Sequence, residues 1–209
     1  MIKCPLCNTP NSSEYVEGNR NRLFKQCSNC LLLFAKYLPL PNEEKARYLE
    51  HQNSMSNNGY VQFLLETVNK ALPYLSKEMQ GLDYGCGPTP TLSVLLNQMG
   101  YQCNNYDPYF FPELPKESFD FIFASECFEH FFAPAIDMLK IKQVLKPNGI
   151  LVISTDKWDN ITDFKHWHYT TDITHVSIYH SQTFRYIAQN FGFDIIENGK
   201  SRITILKNH

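Results

Sequence analysis

The chain has 209 residues, 43% of them hydrophobic, and a formal net charge of -2. That length supports one full core plus a small accessory module. The charge balance excludes a protein that works by overall attraction to nucleic acid or to an anionic membrane.

Charge is nonetheless uneven, since residues 1–38 carry Lys3, Arg20, Arg22, Lys25 and Lys36 against Glu14 and Glu17. The opening "MIKCPLC" lacks the apolar run of a signal peptide. Nor does any apolar run reach the roughly 18 residues of a membrane span. A cytoplasmic location is expected, in which the seven cysteines serve as thiols or metal ligands rather than disulfides.

Taken in order, the chain divides into three zones. Residues 1–38 hold Cys4, Cys7, Cys27 and Cys30 in the pattern C-x2-C-x19-C-x2-C. Each pair offers two thiolates from one tight knuckle, and together they complete a tetrahedral S4 shell. A closed shell has no open position for substrate, so the expected ion is a structural zinc. A segment this short and this poor in apolar mass also needs such a staple to fold. Residues 39–78 predict two helices, the first starting near Pro41 and Asn42, the second carrying Tyr60, Phe63, Leu64 and Val68 on one face and ending at Pro73. This zone is expected to bridge the other two and to bring His51, Asn53 and Tyr60 toward a substrate.

Residues 79–209 alternate between strand and helix patterns. Strands are predicted at "GLDYG", "YQCNNYD", "FDFIFAS" and "ILVIST". Helices are predicted at "TLSVLLNQMG", "APAIDMLKIKQVLKPNG" and from Ser181 to Asn190 with Ser181 as its cap. The final strands "FDIIEN" and "SRITILK" meet at a turn at Asn198–Gly199. The alternation predicts an α/β, Rossmann-like, doubly wound and mostly parallel sheet with a C-terminal antiparallel hairpin, preceded by a small zinc ribbon.

The segment "GLDYGCGPTPTLSVLL" places Asp83, Gly85, Cys86 and Gly87 between a strand and a helix. Dinucleotide and P-loop sites use such a crossing to cradle phosphate with successive N–H donors. Here Pro88 and Pro90 remove two donors, and no Lys-Ser/Thr follows. A nucleoside without phosphates fits better. Asp107 in "YDPY", 20 residues after Gly87, stands where a carboxylate accepts from ribose hydroxyls.

At these residues the chain resembles the class I SAM-dependent methyltransferases of the type 11/12 kind, over residues 79–209. "LDYGCGPTP" is similar to the family's first motif, with Thr89 at a position where glycine is usual. "YDP" resembles its ribose-binding motif, "FDFIFASECFEHF" the end of its fourth strand, and "LKPNGILVIST" its post-helix motif. "THVSIYHSQTFRYIAQNFGFDII" resembles its C-terminal helix and strand. The resemblance implies SAM as cofactor, with Asp83, Gly85, Cys86, Gly87, Asp107, Pro108 and Ser125 around it. The interval from Asp107 to Phe119 is too short for the usual third strand, which is expected to be missing. The cysteine-rich head resembles those of sugar C-methyltransferases and of a ribosomal-RNA guanine methyltransferase.

Methyl transfer from a sulfonium needs positioning, exclusion of water and sometimes removal of a proton. Glu126 and His130 follow a strand's carboxyl end, where ligands bind in open α/β sheets, whereas Glu129 is expected to cap or pair locally. The stretch "HWHYTTDITHVSIYH" holds His166, His168, His175 and His180 and is expected to hang over the same mouth as a lid. Its His175 is the favoured general base, and a second metal site among these histidines is an open alternative. Cys86, Cys103 and Cys127 read most simply as small apolar residues. The expected activity is methyl transfer to a small molecule. Rival readings are an RNA base methyltransferase and an RNA- or protein-binding ribbon on an inactive Rossmann-like domain. A nicotinamide dehydrogenase is disfavoured by Pro88 and Pro90.

Overall fold

The computed structural model describes residues 2–11, 13–159, 162–199 and 201–209. In the N-terminal zone a short hairpin, β1 (Ile2–Lys3) with β2 (Pro10–Asn11), carries the first cysteine pair. β3 (Tyr15–Glu17), β4 (Leu23–Gln26) and β5 (Leu33–Ala35) form an antiparallel sheet. Two helices follow, α1 (Pro41–Leu49) and α2 (Asn58–Ala71). Glu43 and Glu44 occupy the first turn of α1, where the helix dipole favours negative charge. Asn57 caps α2 by accepting from Tyr60 N–H, and Pro73 lies in the short 3-10 turn that ends it.

The body is built from β6 (Gln80–Tyr84), α3 (Thr91–Gln98), β7 (Gln102–Tyr106), β8 (Phe119–Ser125), α4 (Pro134–Val144), β9 (Leu145–Ser154), β10 (Ser177–Ile178), α5 (Ser181–Phe191), β11 (Phe193–Glu197) and β12 (Ile203–Asn208). Six of these strands form one sheet in the order β11-β12-β9-β8-β6-β7. The pairs from β7 to β9 are parallel, and β12 and β11 add antiparallel to β9. Among the described residues no strand stands between β7 and β8 in sequence, as the short interval predicts.

Strand period explains the layering. Along β8 and β9, Ile122, Ala124, Leu151 and Ile153 face one side with α4 and α5, while Phe121, Phe123, Ile150 and Val152 face the other with α2 and α3. Both faces are dry, so these strands read as near-continuous apolar runs. The turn Pro147–Gly149 is absorbed within β9, where the register shifts between Phe119 and Phe121 of its partner.

Two local expectations change. His180, not Ser181, caps α5, its ring Nδ1 accepting from Gln182 N–H, while Ser181 N–H donates to the Asp159 carboxylate. A ring acceptor at the cap position is not anticipated by a rule based on short oxygen side chains. The histidine-rich stretch is also not an open lid. Phe164, Trp167 and Tyr169 pack with Phe24 and Leu33 of the N-terminal zone, and β10 extends that zone's sheet by pairing antiparallel with β5. Cys4, Leu6, Cys27, Cys30 and Leu32 share a core with Phe128, Tyr179 and Phe184 of the body.

Arg22 fastens the same junction. Its guanidinium donates to the carbonyls of Thr170 (3.1 Å), Asp172, Ile173 (3.1 Å) and His175 (2.9 Å). Replacing Arg22 by Met leaves these carbonyls without their charged donor. The expected cost is about 1.5–3 kcal/mol of stability, read as a lower urea midpoint; an unchanged midpoint would show the clamp to be energetically idle.

Candidate functional site

The loop after β6 is shaped by two left-handed glycines, Gly85 (φ 79) and Gly87 (φ 67). A Cβ at Gly85 would also lie 2.2 Å from Cys127 Sγ, so no other residue fits. The loop's amides are committed within the protein. Gly85 and Cys86 N–H both donate to the Tyr106 carbonyl (2.8 and 3.2 Å), and Gly87 N–H donates to Asp107 Oδ2 (3.0 Å). The other oxygen of Asp107 accepts from Tyr109 and Phe110 N–H (2.8 and 3.1 Å). This loop has no free row of donors for a pyrophosphate, and the positions that follow are Pro88 and Pro90. What it offers a ligand instead is close backbone approach beside a fixed carboxylate. Burial raises the pKa of Asp107, against the pull of those three N–H groups.

The loop borders a cavity of about 610 Å³, within the range of small-molecule sites. Its far wall is Ser125 at the end of β8 and Glu126, Glu129 and His130 after it, with His175, Asp172 and Arg202 from later in the chain. Helix α1 covers it. Glu44, buried, accepts from Tyr48 OH (2.7 Å) and from Tyr109 OH (2.6 Å). Arg47 Nε donates to Asp172 Oδ2 at 2.8 Å, and Tyr48 meets His130 edge to face at 5.2 Å. Burial opposes ionisation of Asp172, yet hydrogen bonds from His51 and Thr174 outweigh it and hold its carboxyl well below the usual range. Glu126 sits in left-handed backbone (φ 48) at the end of β8, the kind of local strain found at functional sites. Ser125 Oγ, Glu126 Oε1 and Glu129 Oε1 are buried without a hydrogen-bond partner in the protein. Glu126 Oε1 has Arg202 Nη1 at 3.9 Å as an ionic neighbour; native folds rarely leave buried polar atoms without hydrogen bonds, and all three residues line the cavity.

The model of a family described as a methyltransferase domain matches residues 42–198. The chain belongs to that family. No curated protein matches the methyltransferase at a significant level. Among solved structures it is similar to the Burkholderia thailandensis 1,6-didemethyltoxoflavin-N1-methyltransferase with bound 1,6-didemethyltoxoflavin and S-adenosylhomocysteine. The identity is 12%, with 94% of this chain and 99% of that one covered, at a TM-score of 0.58. It is also similar to the magnesium protoporphyrin IX methyltransferase of Synechocystis PCC 6803 with bound S-adenosylhomocysteine, at 15% identity, 80% and 94% coverage and a TM-score of 0.55. These likenesses are of fold. Family and fold are those of SAM-dependent methyltransferases.

The structure of the methyltransferase brings together most of the residues singled out in its sequence. Gly85, Cys86, Gly87, Asp107, Pro108, Ser125, Glu126, His130 and His175 line the cavity, as do His51, Asn53 and Tyr60. His166 and His168 are exposed and away from it, His166 being paired with Asp163. Glu129 is not a local cap: it is fully buried, and its Oε2 accepts from Thr155 OH at 2.8 Å. His175 is buried with Nδ1 2.7 Å from the Tyr169 carbonyl, and its pKa is pushed down to about 4 by burial and then by His130. Glu126 is raised well above its ordinary value by burial and by Glu129. Glu44, Tyr48, Tyr109, Asp172 and Arg202 were missed by sequence reasoning. Only the spacing of Glu44 and Tyr48, one helical turn apart, hinted that a polar pair shares a face.

Elsewhere, Cys4, Cys7, Cys27 and Cys30 form a cluster that could hold a metal ion. Cys4 Sγ lies 3.6 Å from Cys30 Sγ, and Cys7 Sγ 3.3 Å from Cys27 Sγ. Sulfurs in a tetrahedral S4 shell with bonds of about 2.3 Å stand only slightly further apart. A hydrogen bond with Cys30 lowers the Cys4 pKa to about 5, whereas burial raises Cys27 to about 11. Four such thiols ionise together only around a cation.

Asp83 stands beneath the loop rather than in the cavity, with its pKa raised to about 7 by burial against a hydrogen bond from the Ser93 backbone. Folded chains therefore keep a proton that unfolded chains release near pH 4. The associated stability is fully present below about pH 4 and is lost as pH rises through about 7. Asp83→Asn is expected to shrink the fall in urea midpoint between about pH 5 and 7.5. An equal fall in the variant would mean that Asp83 is ionised throughout.

Proposed function

We propose that this methyltransferase moves a methyl group from SAM to a small-molecule acceptor, and that its cysteine cluster holds a structural zinc. The observation that carries the reading is the sign of the cavity wall. Glu44, Asp107, Glu129, Asp137 and Asp172 face it, beside Glu126, whose carboxyl burial holds toward the neutral form, against Lys140, Arg202 and the Arg47 bonded to Asp172. A wall of this sign suits a cationic sulfonium donor. It opposes a polyanion such as RNA, whose binding rests on neutralised phosphates, and it lacks the basic and aromatic stripe that tracks single strands.

In this reading Gly85, Cys86, Gly87, Asp107 and Pro108 hold the nucleoside part of the donor. Asp107 is pre-oriented for ribose hydroxyls by its backbone bonds: Oδ1 already accepts twice, and Oδ2, which accepts once, keeps a site for the ligand. Asp83 supports the loop from below. Ser125 and Glu126 supply polar atoms without a hydrogen-bond partner in the protein for the methionine part. SAM, when bound, supplies an already activated methyl group. The chain's task is to align the acceptor, exclude water under α1 and accept a hydrogen bond from the nucleophile. His175 and His130 are placed for the last role, since each commits Nδ1 to a backbone carbonyl and leaves Nε2 to accept.

Calorimetry with SAM tests the donor site. Asp107→Ala is expected to weaken binding by about 1–3 kcal/mol; an unaltered affinity would remove Asp107 from the site. Methyl-labelled SAM supplied with fractionated cell extract should place label in the low-molecular-weight pool. Label confined to RNA would overturn the acceptor class. For the cluster, a chelator is expected to release one zinc per chain. Because β10 is paired with β5, amide exchange should then rise across residues 164–180 as well as in the N-terminal zone. Retained protection in both after metal loss would overturn the structural role.

A further inference from the structure

Glu129, His130 and His175 meet at the acceptor end of the cavity. One ring nitrogen from each histidine and one carboxylate oxygen of Glu129 lie within 4.8 Å of one another. His130 Nδ1 is 3.1 Å from the Thr174 carbonyl oxygen, and His175 Nδ1 is 2.7 Å from that of Tyr169. A carbonyl only accepts, so both Nδ1 atoms carry the hydrogen and both Nε2 atoms present bare lone pairs. Glu129 is 0% exposed. Its Oε2 accepts from Thr155, whose hydroxyl is within 2.9 Å of Tyr169 OH, and its Oε1 has no partner in the protein.

With both Nδ1 atoms committed, the sites this cluster still offers a ligand are the two Nε2 lone pairs and Glu129 Oε1, acceptors all. A proton can bridge two of them at most, whereas a metal ion satisfies all three. The surroundings match what metal sites require. Each imidazole is fixed by a backbone carbonyl behind it, and the carboxylate is held by a hydroxyl, which together set tautomer and aim. Ligand atoms around a tetrahedral ion with bonds of about 2.1 Å stand about 3.4 Å apart, so small side-chain rotations suffice from the present spacing. Two imidazoles and a carboxylate suit Zn2+, Co2+, Fe2+ or Mn2+ better than Mg2+, which favours oxygen alone.

We propose that Glu129, His130 and His175 bind one divalent transition-metal ion, leaving its remaining positions open to the cavity. This site differs in kind from the four-cysteine cluster, whose shell is complete. Binding rests on the geometry of these three residues. What the ion does there rests on the small-molecule acceptor reading: it would orient a hydroxyl or carbonyl oxygen of the acceptor beside the donor's methyl group. The imidazoles then serve as ligands rather than as acceptors of the substrate's hydrogen bond.

Cobalt(II) is the probe, added to tag-free full-length protein whose cysteine cluster is already filled with zinc. The expected result is one Co2+ per chain beyond that zinc, with weak visible d–d bands and no thiolate-to-cobalt charge transfer. His175→Gln and Glu129→Gln should each weaken this binding at least tenfold, with circular dichroism reporting that the variants are folded. Binding absent at millimolar Co2+, or equally tight in both folded variants, overturns the site. SAM calorimetry on the same samples reports separately on the donor site, so loss of the metal inference and loss of the methyltransfer reading are distinguished.

Discussion

The architecture of the site depends on how the end of β7 consumes the donors of the glycine loop. The Tyr106 carbonyl takes two loop amides and the Asp107 carboxylate takes a third. A loop with free amides is an anion receptor by default. Here the same backbone becomes a rigid platform next to a negative charge. The Asp107 oxygens, buried and braced by Tyr109 and Phe110 N–H, cannot swing away from that platform. A ligand entering the crevice therefore meets shape and a fixed acceptor, not a phosphate cradle.

The opposite wall depends on the N-terminal zone. Asp172 and His175 lie on a stretch of irregular backbone whose carbonyls are gathered by Arg22. Its aromatic residues fill the space against Phe24 and Leu33. Pairing of β10 with β5 then makes the two zones one sheet at this point. A metal held at the cysteine cluster would thus act on the cavity at a distance, by keeping β4 and β5 in the conformation that supports this wall.

Helix α1 completes the enclosure through polar contacts that reach both walls. Glu44 receives two tyrosine hydroxyls, one from its own helix and one from the segment after β7, and Arg47 reaches Asp172. These bonds bridge the mouth at places where apolar packing is thin, since Tyr37, Leu38, Leu40 and Leu49 on and beside α1 remain exposed. Such a cover opens at lower cost than a core helix, which is what a site that admits and releases small ligands requires.

Much of this was legible in the chain itself. Alternating apolar runs determine the sheet and its two dry faces, because a parallel strand covered on both sides must be apolar throughout. Cysteine spacing determines the four-thiol cluster, because a knuckle is a local structure. Gly85, Gly87, Pro88 and Asp107 point to a crevice unsuited to pyrophosphate, because proline lacks an N–H and glycine permits left-handed turns, whereas the capture of the remaining loop amides by Tyr106 and Asp107 came with the packing of β7 beside β6. Tertiary structure alone decided that Asp83 lies under the loop, that Glu129 is a buried cavity carboxylate and that His166 and His168 face solvent. It alone brought Glu44, Asp172 and Arg202 to the cavity. These placements depend on contacts between segments as much as 153 positions apart, as between Arg22 and His175, and no local periodicity records which side chains will meet when such segments pack.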